Sequence, residues 1–140
     1  MGALHNLRLR WFPLRIVDRD FEILRFIYIS RGVCRSYWEC DWKFPGTGTV
    51  IAISLPGDED GPTPQARQFY LGLAARFGEI LEILRPELKK VFREWIHSEL
   101  PSDTFSQLEL SGFDLEDPGG DPRRWNVSFN GRDRRYLRSI

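Results

Sequence analysis

Between residues 34 and 44 every second side chain is small and uncharged or a large aromatic ring, and the intervening side chains are polar or charged. The first set consists of Cys34, Ser36, Trp38, Cys40, Trp42 and Phe44. Because successive side chains of a β-strand point to opposite faces of a sheet, this period predicts a strand with one buried face. The turn-forming sequence at 45–48 and the apolar run at 49–55 predict the second strand of a hairpin.

A helical pattern follows this hairpin. Apolar residues recur at steps of three and four over residues 69–96, which is the spacing of one face of an α-helix. Thr63, followed by proline, is a suitable N-cap. Pro86 disturbs helical hydrogen bonding, so we predict one long helix over about 63–98 that is bent near Pro86, or two nearly collinear helices.

Shorter strand patterns lie on both sides of these elements. Residues 21–30 have apolar groups at both parities, which is typical of a strand covered on both faces, and residues 125–130 alternate as a half-buried strand does. The apolar parity changes at Gly112, which predicts a β-bulge or a strand end there. An Asn-Gly pair at 130–131 predicts a final hairpin, whose loop holds either two or four residues.

Together these elements predict an α+β fold, in which one antiparallel sheet of about five or six strands carries the long kinked helix on one face. With 140 residues, the chain is long enough for one domain that spans 1–140. Residues 1–20 form an edge strand or a flexible arm, because Pro13 excludes a central strand. Trp38 and Trp42 lie on the face that the helix covers, so we predict that both indoles are buried.

The sequence favours no catalytic residue, no cofactor and no metal site. At about 3.3 Å per residue, Cys34 and Cys40 lie about 20 Å apart in one strand, beyond the reach of a disulfide. The chain has only two histidines and no Gly-x-Ser-x-Gly sequence, so it offers no local nucleophile–base pair. The Gly-Thr-Gly-Thr-Val sequence at 46–50 precedes a strand, which favours a turn over a nucleotide-binding loop. We therefore predict that the protein is not an enzyme.

Positive and negative charges are equal in number over the whole chain but are unevenly distributed along it. The formal net charge is zero, which weighs against a dedicated nucleic-acid binder. Residues 99–121 contain seven acids and no Lys or Arg, whereas residues 123–138 contain six Arg and one Asp. These segments either neutralise each other, form a polar interface for a partner or, as the least favoured alternative, form a phosphate site. The candidate partner-binding residues are Arg123, Arg124, Arg132, Arg134, Arg135, Glu39 and Asp41.

The sequence also bears on location. No apolar run approaches the ~18 residues of a membrane span, and residues 1–17 are too polar for a secretory signal. We expect a cytoplasmic protein without a membrane partner, with both thiols reduced.

Three segments of the chain stand out together, which are YWECDWKF at 37–44, VIAISLPGDEDGPTPQARQFYLGLAARFGEIL at 50–81 and RRWNVSFN at 123–130. They resemble those of a loose group of small bacterial α+β proteins of uncharacterised function, some of which are toxin-immunity-like. The likeness covers about residues 36–130. Some members of the group carry an acidic-His motif near the late strand, where this chain has NGRDRRY at 130–136 and no histidine. The resemblance implies no reaction and no catalytic residue.

These observations lead to two functional hypotheses. The first is a non-catalytic bacterial module that binds another protein, immunity-like in role, or that binds itself as a homodimer. The alternative is a small-molecule or nucleic-acid binder that uses a cleft between the sheet and the helix. An enzyme is the weakest hypothesis.

Overall fold

The computed structural model describes residues 7–8, 11–29, 35–115 and 125–132. The strands are β1 (Arg15–Asp18), β2 (Glu22–Ile27), β3 (Tyr37–Lys43), β4 (Val50–Asp58), β5 (Gly61–Pro62), β6 (Leu108–Leu115) and β7 (Trp125–Gly131). The helices are α1 (Pro64–Ala75) and α2 (Phe77–Val91), with a π-helical turn at Phe92–Ile96 and a 3-10 turn at Thr104–Ser106. None of the described helices is both long enough and apolar enough to cross a membrane.

The strands form one mostly antiparallel sheet in the order β1-β2-β3-β4-β6-β7, and the short β5 pairs with the end of β4. The neighbours β4 and β6 are the exception, because they run parallel and are joined by the pair Ala52 and Gly112. The chain crosses from β4 to β6 through the two helices. This architecture confirms the predicted α+β class, with β1 at one edge of the sheet.

The β3–β4 hairpin follows the predicted alternation. Trp38 and Trp42 are 0% and 3% exposed on the face that packs against the helices, which confirms that both indoles are buried. The Trp38 indole N–H donates to the carbonyl of Asp58 at 2.7 Å, so its burial leaves no unpaired donor. The sequence at 45–48 forms the turn, and Gly46 is needed there because a Cβ would lie 2.7 Å from the rings of Phe44 and Phe77.

The predicted long helical segment consists of two helices separated at Arg76, and α2 continues as a helix through Pro86. Thr63 caps α1 by accepting a hydrogen bond from the backbone N–H of Ala66. Arg76 leaves helical dihedral angles while its N–H still bonds to Gly72. The buried positions 66, 70, 73 and 77 keep helical spacing across this break, so the same face stays on the sheet. Pro86 is an exposed residue of α2, and so is Glu82, whose carbonyl Pro86 leaves without a helical hydrogen bond.

Two further predictions concern strands. A register shift between Leu110 and Gly112 confirms the bulge predicted from the change of parity. By contrast, β2 is not covered on both faces: Leu24 and Phe26 are buried, whereas Ile23 and Arg25 are exposed. The return strand of the predicted final hairpin and Cys34 lie outside the described residues.

Candidate functional site

The helices cover one face of the sheet and leave the opposite face to solvent over the described strands. We name this second surface the outer face. The side chains that form its central part are those of Arg15, Val17, Ile23, Arg25, Glu39, Asp41, Val50, Ala52 and Ser54. The alternation of β3 accounts for it directly, because turning Trp38 and Trp42 inward turns Glu39 and Asp41 outward.

Strand register arranges the polar groups of the outer face in a row. Arg15 pairs with Arg25, Arg25 pairs with Glu39, and Glu39 pairs with Ser54, so the row crosses four strands. Within the row, the Arg25 guanidinium donates to the Glu39 carboxylate as a cross-strand ion pair. In the next row Asp41 pairs with Ala52, which carries little side chain.

The outer face contains an open depression of about 670 Å³. Its charged lining comes from Arg15, Glu22, Arg25, Glu39 and Asp41, and its apolar lining includes Ile23 and Ala52. Both signs of charge therefore surround one concave surface.

Two separations between neighbouring strands explain why the sheet is concave there. The pairing of β2 with β3 covers residues 25–27 and 37–39, so Ile23 and Asp41 lie beyond its last pair. The pairing of β4 with β6 consists of Ala52 and Gly112, two residues with minimal side chains. Near that junction the Tyr70 hydroxyl, from α1, donates to the carbonyl of Ser54 at 2.8 Å. A helix side chain thus satisfies a backbone acceptor of β4.

Cys40 lies beneath the depression, and burial suppresses the reactivity of its thiol. Burial raises the pKa of its thiol to about 12, and the negative charges of Asp41, Asp18 and Glu22 add to the effect. At neutral pH the thiol is therefore protonated, which suppresses its reactivity as a nucleophile. In the described part of the chain, no group of three or more His, Cys, Asp or Glu side chains is placed to hold a metal ion.

A separate cluster ties the β1–β2 turn to α1. Arg67 donates to Asp18 at 2.9 Å and to Asp20 at 2.7 Å, and its guanidinium lies 5.3 Å from the centre of the Phe21 ring. The hydrogen bond from Arg67, helped by backbone N–H donors, lowers the pKa of Asp18 to about 2 although burial opposes the shift. This cluster is a structural brace, since its carboxylates are occupied by partners within the fold.

The structure brings together only part of the predicted partner-binding set. Glu39 and Asp41 line the depression. Arg132 is exposed after β7, where its backbone N–H donates to Gln107, and it does not line the depression. The other predicted arginines, which are Arg123, Arg124, Arg134 and Arg135, lie outside the described residues.

Sequence reasoning missed the other charged groups of the depression, Arg15, Glu22 and Arg25. The signal for Arg25 was a single arginine within an apolar strand, which requires one face of that strand to be open. Arg15 and Glu22 become neighbours of β3 only through the register of β1 and β2, which a single sequence does not specify.

The space between sheet and helices is filled with aromatic rings. Trp42 packs edge-on against Tyr70 with ring centres 6.2 Å apart, and Phe44 packs against Phe77 at 4.9 Å. A ligand in a sheet–helix cleft, the alternative predicted from the sequence, would have to displace these rings.

No family model, no curated protein and no solved structure matches this chain. The resemblance to small bacterial immunity-like proteins therefore stays a prediction. Function has to be inferred from the surface itself.

Proposed function

We propose that this chain is a non-catalytic protein-binding module, immunity-like in role, that receives part of another protein on its outer face. The observation that supports the proposal is the open depression, which has charges of both signs next to exposed apolar side chains such as Ile23. A nucleic-acid surface would be predominantly basic. Here Glu22, Glu39 and Asp41 would repel phosphates, whereas a protein partner can present both signs of charge.

The dimensions of the outer face suit a modest protein interface. A seven-residue strand is about 23 Å long, and six strands at about 4.8 Å spacing span about 24 Å. The projected area is then on the order of 550 Å², and protruding side chains add to it. A standard interface takes about 800 Å² from each partner, so one partner covering the whole outer face approaches that size.

The titratable groups near the depression support binding rather than catalysis. The Glu39 carboxylate is engaged by Arg25, and the Cys40 thiol is protonated at neutral pH. General acid–base catalysis needs a group whose pKa lies near the working pH and whose proton can reach a substrate. Asp18, with its pKa near 2, is held by the brace to α1 and does not meet that need.

Site-specific photo-crosslinking tests the proposal. A photoreactive phenylalanine analogue replaces Ala52 on the outer face in one version and Ile83, which is 72% exposed on α2, in the control version. In cells of the native host, we expect Ala52 to yield a discrete protein adduct that Ile83 does not. Equal adduct patterns at both positions, or none at Ala52, would overturn the proposal.

The immunity-like role needs its own test. The chain is produced together with toxic proteins encoded beside its gene, and cell survival is compared for the wild type and for Ala52→Trp, which fills the depression. We expect protection by the wild type and its loss in the variant. Protection that Ala52→Trp leaves intact would separate the role from the outer face.

The volume of the depression favours a second candidate function. About 670 Å³ lies within the range of small-molecule pockets, and the paired charges would suit a zwitterionic ligand. This candidate predicts a low-molecular-weight compound that co-purifies with the wild type and not with Ala52→Trp. Mass spectrometry of the two denatured preparations distinguishes it from the protein-binding proposal.

A further inference from the structure

Two adjacent aromatic side chains are exposed shortly before β1. Trp11 is 71% exposed and Phe12 is 75% exposed, and Leu7 is exposed beside them. The Phe12 backbone N–H donates to the carbonyl of Arg8 at 2.7 Å, a hydrogen bond of helical spacing. We name the set Leu7, Arg8, Trp11 and Phe12 the aromatic arm.

The aromatic arm has the composition of a binding element. Trp and Arg are enriched among the residues that dominate protein interfaces, and a contiguous exposed apolar patch marks an interaction site. The arm is also basic in its sequence context, since no Asp or Glu precedes Asp18. Its counterpart should therefore be concave and acidic, with some apolar surface.

The depression on the outer face carries more acids than arginines, with three acids and two arginines among its charged lining residues. Glu22 and Asp41 are exposed acids on its lining, and Ile23, which is 60% exposed, supplies apolar surface next to them. The small side chain of Ala52 leaves space at the bottom of the depression. In a docked arm, Arg8 would face these carboxylates and an aromatic ring would cover Ile23.

The course of the chain favours a depression on another copy. The carbonyl of Leu14 accepts a hydrogen bond from Phe26, so the arm leaves the sheet beside the C-terminal end of β2. Glu22 and Ile23 lie at the opposite end of β2, next to the turn after Asp18. To cover Glu22 and Ile23 of its own chain, the arm would have to reverse direction over Pro13 and Leu14, whereas a second chain can approach them without such a reversal.

We propose that the aromatic arm of one chain docks in the depression on the outer face of a second copy. The inference rests on the proposed function of the outer face as a protein-binding surface, and it names the partner there as this same chain. Each copy has one arm and one depression, so a two-fold symmetric pair contains the contact twice.

Sedimentation velocity over a concentration series tests the inference. We expect the wild type to dimerise and Trp11→Ser combined with Phe12→Ser to weaken dimerisation at least tenfold. The matched control is Trp95→Ser, because Trp95 is 67% exposed on the π-helical turn and lies outside both surfaces. Ala52→Trp and Asp41→Arg should weaken dimerisation from the side of the depression. All substituted side chains are exposed, and far-UV circular dichroism checks that each variant is folded.

Mixing the variants gives the decisive result. The arm variant retains its depression, and Ala52→Trp retains its arm, so an equimolar mixture should form a heterodimer although each variant alone is monomeric. A monomeric wild type at millimolar concentration, dimerisation that is indifferent to the arm, or failure of the mixture to associate would each overturn the inference. If an Ala52 crosslink to a different protein persists in that case, the proposed function still stands.

Discussion

The hydrogen bonds of the Asp18 carboxylate make the stability of the folded protein depend on pH. It accepts hydrogen bonds from Arg67 and from the backbone N–H groups of Asp20 and Phe21. The bond from Arg67 is the largest cause that lowers its pKa from an ordinary 3.8 to about 2. A carboxylate with a lowered pKa stabilises the folded state above the unfolded pKa, and this stabilisation is lost as the pH falls through the folded pKa.

We therefore expect Asp18→Asn to lower the free energy of unfolding at pH 7 by on the order of 2 kcal/mol. The difference between variant and wild type should shrink between about pH 4 and pH 2, where the wild-type carboxylate takes up its proton. Urea unfolding at pH 7 and at low pH measures both values. Glu82→Gln is the control, since its pair with Arg85 is largely exposed and worth less than about 0.5 kcal/mol. An effect of equal size at both pH values would contradict this account.

The Cys40 thiol provides a second local test. Its pKa of about 12 and its 7% exposure both suppress the thiolate that reacts with disulfide reagents. In a Cys34→Ser background, we expect Cys40 to resist an aromatic disulfide reagent at pH 8 in the native protein and to react fully in urea. Absorbance of the released thiol follows the reaction. Native reactivity close to that of a free thiol would show that the sheet opens at β3.

Strand β3 could be predicted from sequence and the outer side of β2 could not, for a specific reason. Along β3, no residue departs from extended backbone, so odd-numbered and even-numbered side chains lie on opposite faces of the sheet. At the start of β2, Glu22 has a φ of 63°, which shifts the alternation. Phe21 and Leu24 are consequently both buried although they differ in parity. Over residues 21–30, odd-numbered and even-numbered positions therefore do not correspond to one face of the sheet each. The apolar residues at both kinds of position then suggest a strand that is covered on both faces.

The candidate site, too, could be predicted from the sequence only in part. Glu39 and Asp41 could be identified because the polar parity of β3 reaches the surface whichever strands lie beside it. Arg15 joins them through the pairing of β1 with β2, and the depression lies where β2 separates from β3 and where a single pair joins β4 to β6. These are long-range pairings, and local patterns do not encode them.

Helix α2 offers a stabilising substitution at Pro86. This residue lies inside the helix and is exposed, so its ring makes no core contact that the helix needs. Pro86→Ala restores one backbone hydrogen bond, and we expect it to raise the free energy of unfolding by about 1–3 kcal/mol. Thermal and urea unfolding measure the change, with Glu87→Ala as the exposed neighbouring control. A loss of stability in Pro86→Ala would mean that the proline positions α2.

The two parts of the sheet are held together by side chains more than by backbone. Strands β4 and β6 share the pair Ala52 and Gly112, whereas β3 and β4 are paired along seven residues. Across the junction, Phe44 contacts Phe113 of β6 at 5.3 Å between ring centres and Phe77 of α2 at 4.9 Å. The fully buried Phe44 thus connects the β3–β4 hairpin, α2 and β6.

Cooperativity should consequently depend on Phe44. We expect Phe44→Ala to lower the free energy of unfolding by about 3–5 kcal/mol and to separate the urea transitions followed by far-UV circular dichroism and by tryptophan fluorescence. In the wild type the two transitions should coincide, because the ring contacts couple β6 and β7 to the rest of the sheet. Phe105→Ala is the matched control, because this ring also stacks on Phe77 but is only partly buried. Coincident transitions in Phe44→Ala would mean that the one parallel backbone pair, together with the other ring contacts, is enough to make the sheet unfold as a unit.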